Sequence, residues 1–157
     1  MRSFTRYFVI SVFFACVASA APLDKPITVT TRDQVLLKLN SLREELPPQV
    51  SLDLAVAIRA LERQCDDLST GLSKEERDSL CVALIDGRTP RQIILTAASL
   101  MLAESAELNA PGAAVDGSKL SGDDFARWRH LTSSRSTGLG FVKAYATAKG
   151  DDARNVR

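Results

Sequence analysis

Residues 84–94 read Leu84-Ile85-Asp86-Gly87-Arg88-Thr89-Pro90-Arg91-Gln92-Ile93-Ile94. The second half of this run is a helix start. Thr89 is suited to the N-cap, because its hydroxyl can accept from the backbone N–H three residues on. Pro90 falls at the first helical position, where a missing N–H costs nothing. Gln92 stands where its side chain can reach back to the cap, completing a T-x-x-Q capping box. Asp86-Gly87 just before it is turn chemistry that ends whatever precedes. Beyond it, Ile94, Ala97, Ala98, Met101 and Leu108, helped by Ile93 and Leu100, fall on one face of a helix.

The same grammar recurs upstream. Ser73-Lys74-Glu75-Glu76 is a second capping box, and its helix carries Leu80, Cys81, Leu84 and Ile85. Before it, Leu54, Ile58, Leu61, Cys65 and Leu68 recur at helical spacing, which predicts a helix over 48–68. Ala55, Ala57 and Ala60 give it small flanks for close contact. Pro48 can open that helix, and Ser69-Thr70-Gly71 can close it, with Gly71 free to turn left-handed. Thr31-Arg32-Asp33-Gln34 is a third box, followed by a stripe of Val35, Leu39, Leu42 and Leu46 that Leu36 widens. Residues 21–30 (APLDKPITVT) hold two prolines and several β-branched residues, so they read as an extended lead-in.

Downstream, residues 109–118 (NAPGAAVDGS) have the composition of a linker. The charge changes there too: residues 21–108 hold 10 basic and 14 acidic side chains, whereas 109–157 hold 8 and 5. A helix is predicted from Ser121 with Phe125, Trp128 and Leu131 as its apolar points. Ser133, Ser134 and Ser136 read as loop, and a weaker helix follows over 140–149 with Phe141 and Tyr145 one turn apart. Residues 150–157 read as a frayed tail. The expected fold class is all-α: a small antiparallel bundle of about four helices over 21–108, then a linker and C-terminal helical extension over 109–157.

The first twenty residues follow a different logic. Arg2 and Arg6 precede an apolar run at 7–16 (YFVISVFFAC), and Ala18-Ser19-Ala20 supplies an A-x-A cleavage pattern. That is a secretory signal peptide over 1–20. Its apolar run is short of the ~20 residues that span a bilayer. The expected location is periplasmic or secreted after cleavage near Ala20, with lipid anchoring at Cys16 as the alternative. Of the residues before Cys16, only Ala15 suits a lipid-attachment signal, since Phe13 and Phe14 do not. Export would leave Cys65 and Cys81 in an oxidising compartment, and the natural reading of that pair is a disulfide. Two buried free thiols are the other possibility.

Composition narrows the function classes. Of the 157 residues 45% are hydrophobic and 25% charged, with net charge +1, as in an ordinary globular domain. Such a balance gives no signal for nucleic acid, and no further run is long enough for a transmembrane span in the mature chain. Zinc would need about four ligands, and Cys65, Cys81 and His130 are scattered without a C-x-x-C pair; no metal or cofactor is expected. Glu44-Glu45, Asp66-Asp67, Glu75-Glu76 and Asp123-Asp124 are neighbours that point apart on a helix; three pairs fall near helix ends, and the Glu75 and Asp123 pairs lie in first turns, where they suit the dipole. Residues 86–89 could offer an anion the N–H groups of a helix start with Arg88 or Arg91 nearby, but Thr89 would occupy those donors itself. Gly138-Leu139-Gly140 follows no strand and carries no nucleotide signal.

Residues 84–94 also resemble a motif of the form L-x-G-K-T-x-x-x-I-I, with Arg88 where Lys is usual. Together with Leu39-x-x-Leu42-x-x-x-Leu46 before a proline, and the Ala/Leu stripe of the next helix, this resembles a family of short exported bacterial proteins of unknown function, many of them lipoproteins. The resemblance covers about residues 27–105. It implies an all-helical exported module and supplies no catalytic residues.

Two functional expectations follow. The first is a non-catalytic interaction module that binds a protein or cell-envelope component through a helix groove or through the basic-aromatic set Arg127, Trp128, Arg129 and Arg135. The second is a small envelope hydrolase with His130, the only histidine, acting beside a carboxylate.

Overall fold

The structure, a computed structural model, describes residues 22–110 and 116–146. The signal segment with Cys16 and Ala20, residues 111–115 of the linker and everything from 147 onward lie outside the described residues. The fold is all-α: α1 (Arg32–Glu45), α2 (Pro48–Leu68), α3 (Lys74–Ala83), α4 (Pro90–Glu104) and α5 (Gly122–Tyr145). Short 3-10 turns occupy Pro22–Asp24, Ser105–Asn109 and Gly117–Lys119, and no strand occurs among the described residues.

The helix starts are where their caps place them. Thr89 Oγ1 accepts from the Gln92 N–H, and Gln92 Oε1 accepts from the Thr89 N–H at 2.9 Å, a reciprocal box. Ser73 and Glu76 form the same pair at α3. At α1 only half the box forms. Thr31 accepts from the Gln34 N–H, but the Gln34 side chain passes Thr31 and accepts from the Thr30 N–H at 2.7 Å. Pro48 opens α2, and Gly71 closes the chain behind it at φ 89°, a conformation that costs a β-carbon-bearing residue about 1 kcal/mol or more.

The core runs along α2 and α4. Leu54, Ile58 and Leu61 join Ile93, Ile94, Ala97 and Ala98 in one cluster with almost no exposed surface. Each fully buried Leu or Ile contributes roughly 1.5–3 kcal/mol. Helix α4 packs on α2, α1 and α3 pack on each other and on α2, and α5 lies along α4. Phe141 and Tyr145 of α5 belong to the same cluster. Cys65 of α2 and Cys81 of α3 are joined as a disulfide, with Cα atoms 5.5 Å apart and a sequence separation of 16. Closing a loop of that length is worth roughly 3 kcal/mol in the chain-entropy account.

The lead-in is a strap that closes the core. Ile27 and Val29 are buried. The Ile27 N–H donates to the Arg88 carbonyl and its carbonyl accepts from the Gly87 N–H, both at 2.8 Å. The Val29 N–H donates to Asp86 Oδ1 at 2.9 Å. These bonds satisfy backbone groups that would otherwise be lost on burial.

Several local expectations are corrected. Helix α5 is one continuous helix, where the sequence suggests two segments with Ser133, Ser134 and Ser136 in a loop. Tertiary contact overrides weak propensity there. Gly138 lies so close to α4 that a Cβ would sit 3.1 Å from the Ala98 carbonyl oxygen, and Ser134 is buried against α4. Helix α4 stops at Glu104, so Leu108 falls in the following 3-10 turn and is only half-buried. The Ser105 hydroxyl, donating to the Leu102 carbonyl, tightens the chain at that point. Leu36 and Leu68 leave the apolar stripes to which spacing assigns them and are 57% and 59% exposed. Leu36 points about a quarter-turn away from the buried Val35.

Candidate functional site

The turn at residues 86–89 is fully engaged by the protein itself. Asp86 and Gly87 hold the strap, Thr89 caps its own helix, and Arg88 Nη1 donates to Thr96 Oγ1 at 3.0 Å. Arg91 clamps Asp24 through two nitrogens, the closer at 2.6 Å, and donates from Nη1 to the Tyr145 carbonyl at 3.1 Å. It therefore sits against the last turn of α5, where a cation complements the helix dipole. The donated hydrogen bonds hold the Asp24 carboxyl below its usual range. An anion would find these donors occupied.

The basic-aromatic set on α5 is brought near the 3-10 turn that follows α4 and is largely used to hold it. Arg127 grips Glu107 with Nε and Nη2 at 2.8 and 2.6 Å. That pairing lowers the Glu107 pKa and raises that of Arg127. Arg135 Nη1 donates to Asn109 Oδ1 at 3.1 Å. Trp128 is half-buried, stacked with Phe125 at a centroid distance of 6.1 Å, and covers Gly117 so closely that a Cβ there would overlap the indole. It anchors the 117–119 turn. Only Arg129 of the set is exposed with no partner among the described residues.

His130 lines a cleft of about 340 Å³ between the ends of α2 and α4. Its Nε2 lies 2.8 Å from Glu104 Oε1, while the Ser134 hydroxyl donates to Glu104 Oε2 at 3.1 Å. The carboxylate is thus the hub. Nucleophilic catalysis requires the base between the nucleophile and the acid. Here Ser134 is buried and bound to the acid. Among the described residues, no group of three His, Cys, Asp or Glu side chains is placed to hold a metal ion. No helix among them is long and apolar enough to cross a membrane.

A further surface lies at the seam between α1 and α2, where Arg59, Glu62, Arg63 and Asp66 fall off the buried stripe of α2. A cleft of about 430 Å³ there is lined by Arg32, Val56, Arg59, Glu62, Arg63 and Asp66. Arg32 also reaches Asp78 at 3.7 Å. Arg59 and Arg63, one turn apart, are exposed and have no partner among the described residues. Leu36 is one turn from Arg32, and Leu52 one turn from Val56; the three apolar side chains are 57%, 59% and 41% exposed. Residues four apart share a helix face, so this edge of the bundle presents apolar surface beside arginines.

No family model, curated protein or solved structure matches the chain.

Proposed function

We propose that this protein is an exported, non-catalytic interaction module that binds a protein or another component of the cell envelope. The observation that carries the reading is the outer face of α2, where Leu52 and Val56 stand open one turn apart on the same face as Arg59 and Arg63, which have no partner among the described residues. Clustered exposed apolar side chains rimmed by charge mark interaction surfaces more often than isolated ones do. The internal engagement of Arg127, Trp128 and Arg135 moves the expected surface away from α5. Export is supported by the Cys65–Cys81 disulfide, which persists in oxidising compartments. The proposed location is the periplasm or the medium after cleavage near Ala20, with anchoring at Cys16 as the alternative. The proposed kin are the short exported helical proteins that residues 84–94 resemble.

The test is site-specific photo-crosslinking from position 56 in an envelope extract. The expected result is one discrete adduct that excess unlabelled protein competes away. An unaltered chain, or adducts that do not respond to competition, would remove the reading.

A second reading rests on one distance, the 2.8 Å between His130 Nε2 and Glu104 Oε1 in an open cleft. It is a hydrolase using His130 with that carboxylate. It requires the wild-type chain to cleave p-nitrophenyl esters faster than His130→Ala does. Equal rates end it.

A further inference from the structure

Leu52, Val56, Arg59, Arg63 and Asp66 recur along α2 at spacings of four and three, so they share its outer face, with Glu62 beside them. The side chains of Arg59, Glu62, Arg63 and Asp66 make no ion pair or hydrogen bond, with one another or with any other described residue. Two are positive and two negative. A partner of a single sign, acidic or basic, would leave two of them facing like charge, which costs affinity. The occupant must itself carry both signs, in an order that answers this one.

This chain carries that order. We infer that the partner is a second copy of the chain, joined in a two-fold symmetric dimer with α2 antiparallel to α2. The inference rests on the interaction reading above and names its partner. The charges alternate in sign along α2, from Arg59 through Glu62 and Arg63 to Asp66. Reversed end for end, that order becomes its own complement. A two-fold axis passing between Glu62 and Arg63 sets Arg59 level with Asp66 of the second copy, and Glu62 level with its Arg63. Symmetry repeats both pairings, so each of these charges meets its opposite. An isologous contact uses one patch on both copies and therefore requires a self-complementary patch. A parallel pair in register would instead set each residue against itself, like against like.

Leu52 and Val56 lie beyond the charged turns, so the two copies contribute one such apolar pair at each end of the contact. Arg32, held by Asp78 at 3.7 Å, flanks the patch and takes no part in the pairing. Exposed ion pairs contribute little singly. The dimer is therefore weak, and it is sensitive to salt, because exposed charges are screened over about 10 Å at 0.1 M ionic strength.

Sedimentation equilibrium of the disulfide-intact chain, purified after export, reads the dimer directly. The wild type should show a monomer–dimer equilibrium at low salt, weakened at least about tenfold at about 0.5 M salt. Arg59→Asp and Asp66→Arg should each weaken it at least about tenfold, because each sets like charges level at both ends of the patch. An equimolar mixture of the two variants should regain the dimer, since each supplies the charge that the other lacks. Both positions are exposed, so each variant should keep the wild-type circular dichroism. A wild-type chain that stays monomeric at about 1 mM, a dimer indifferent to either substitution, or variants that stay monomeric when mixed would overturn the inference. If the chain is monomeric while position 56 still crosslinks one competable partner of a different mass, the second copy is wrong and the interaction reading stands. A monomeric chain that yields no adduct removes both.

Discussion

The Tyr145 hydroxyl donates to Asp53 Oδ2 at 2.6 Å, joining the last turn of α5 to the second turn of α2. The two residues are 92 positions apart. Tyr145 is also part of the core and meets Phe141 edge-on at a centroid distance of 6.3 Å. The C-terminal helix is therefore fastened at its far end to the helix at the centre of the bundle.

Replacing Tyr145 with Phe keeps the ring and removes the bond. The expected loss is about 1–2 kcal/mol, because the acceptor is a carboxylate. Urea denaturation of the variant should show an earlier midpoint with an unchanged slope. Burial, then the hydrogen bond to Asp53, pushes the Tyr145 phenol above its ordinary value of 10.0. A raised folded-state pKa stabilises below the unfolded value, and that stability is lost as pH rises above it. The wild type should therefore weaken above about pH 10 by more than Tyr145→Phe does.

The Arg91–Asp24 clamp has the opposite pH sign. Asp24 is held below its ordinary 3.8 by hydrogen bonds from Arg91. Its contribution is present above that value and is lost as pH falls through the lowered one. The difference in denaturation midpoint between wild type and Asp24→Asn should thus be largest near neutrality and shrink below about pH 4. A constant difference from pH 7 to pH 2 would contradict the clamp.

Gly138 and Gly140 occupy one helix in different surroundings. A Cβ at Gly140 meets nothing within 4 Å, so Gly140→Ala should stabilise by about 0.5–1 kcal/mol through propensity alone. At Gly138 the Cβ would press on the Ala98 carbonyl oxygen and on Leu102 Cγ, both at 3.1 Å. Gly138→Ala should forfeit that gain, and Gly138→Leu should cost about 1–3 kcal/mol. Thermal melts of the three variants test the order; each kcal/mol corresponds to roughly 2–4 °C.

Unfolded, unreduced protein should show no reactive thiol at Cys65 or Cys81. Reduction, or replacement of both by Ala, should lower stability by about 2–5 kcal/mol. Two labelled thiols at those positions would contradict the crosslink.

The parts of the fold that announce themselves in sequence are those with short-range causes. Thr89, Pro90 and Gln92 act within three residues of one another, and so do Ser73 and Glu76; their helices start where spacing says. The continuity of α5 was not readable, because its Ser, Thr and Gly run has weak intrinsic helicity and is held by α4. The uses of Arg127, Arg135 and His130 were equally hidden. Their partners lie 20 to 26 residues away in sequence, and no local pattern pairs them. The exposure of Leu36 was not legible either, because it depends on which neighbours α1 receives.

The strap at Ile27 and Val29 has a consequence for the order of assembly. Asp86, which receives the Val29 N–H, is made 57 positions after it. A chain emerging from its N-terminal end therefore carries these two greasy side chains unclasped until the α3–α4 corner has been delivered. The earliest part of the described chain to be synthesised is among the last that can be seated, and the bundle shuts as its opening words meet its middle.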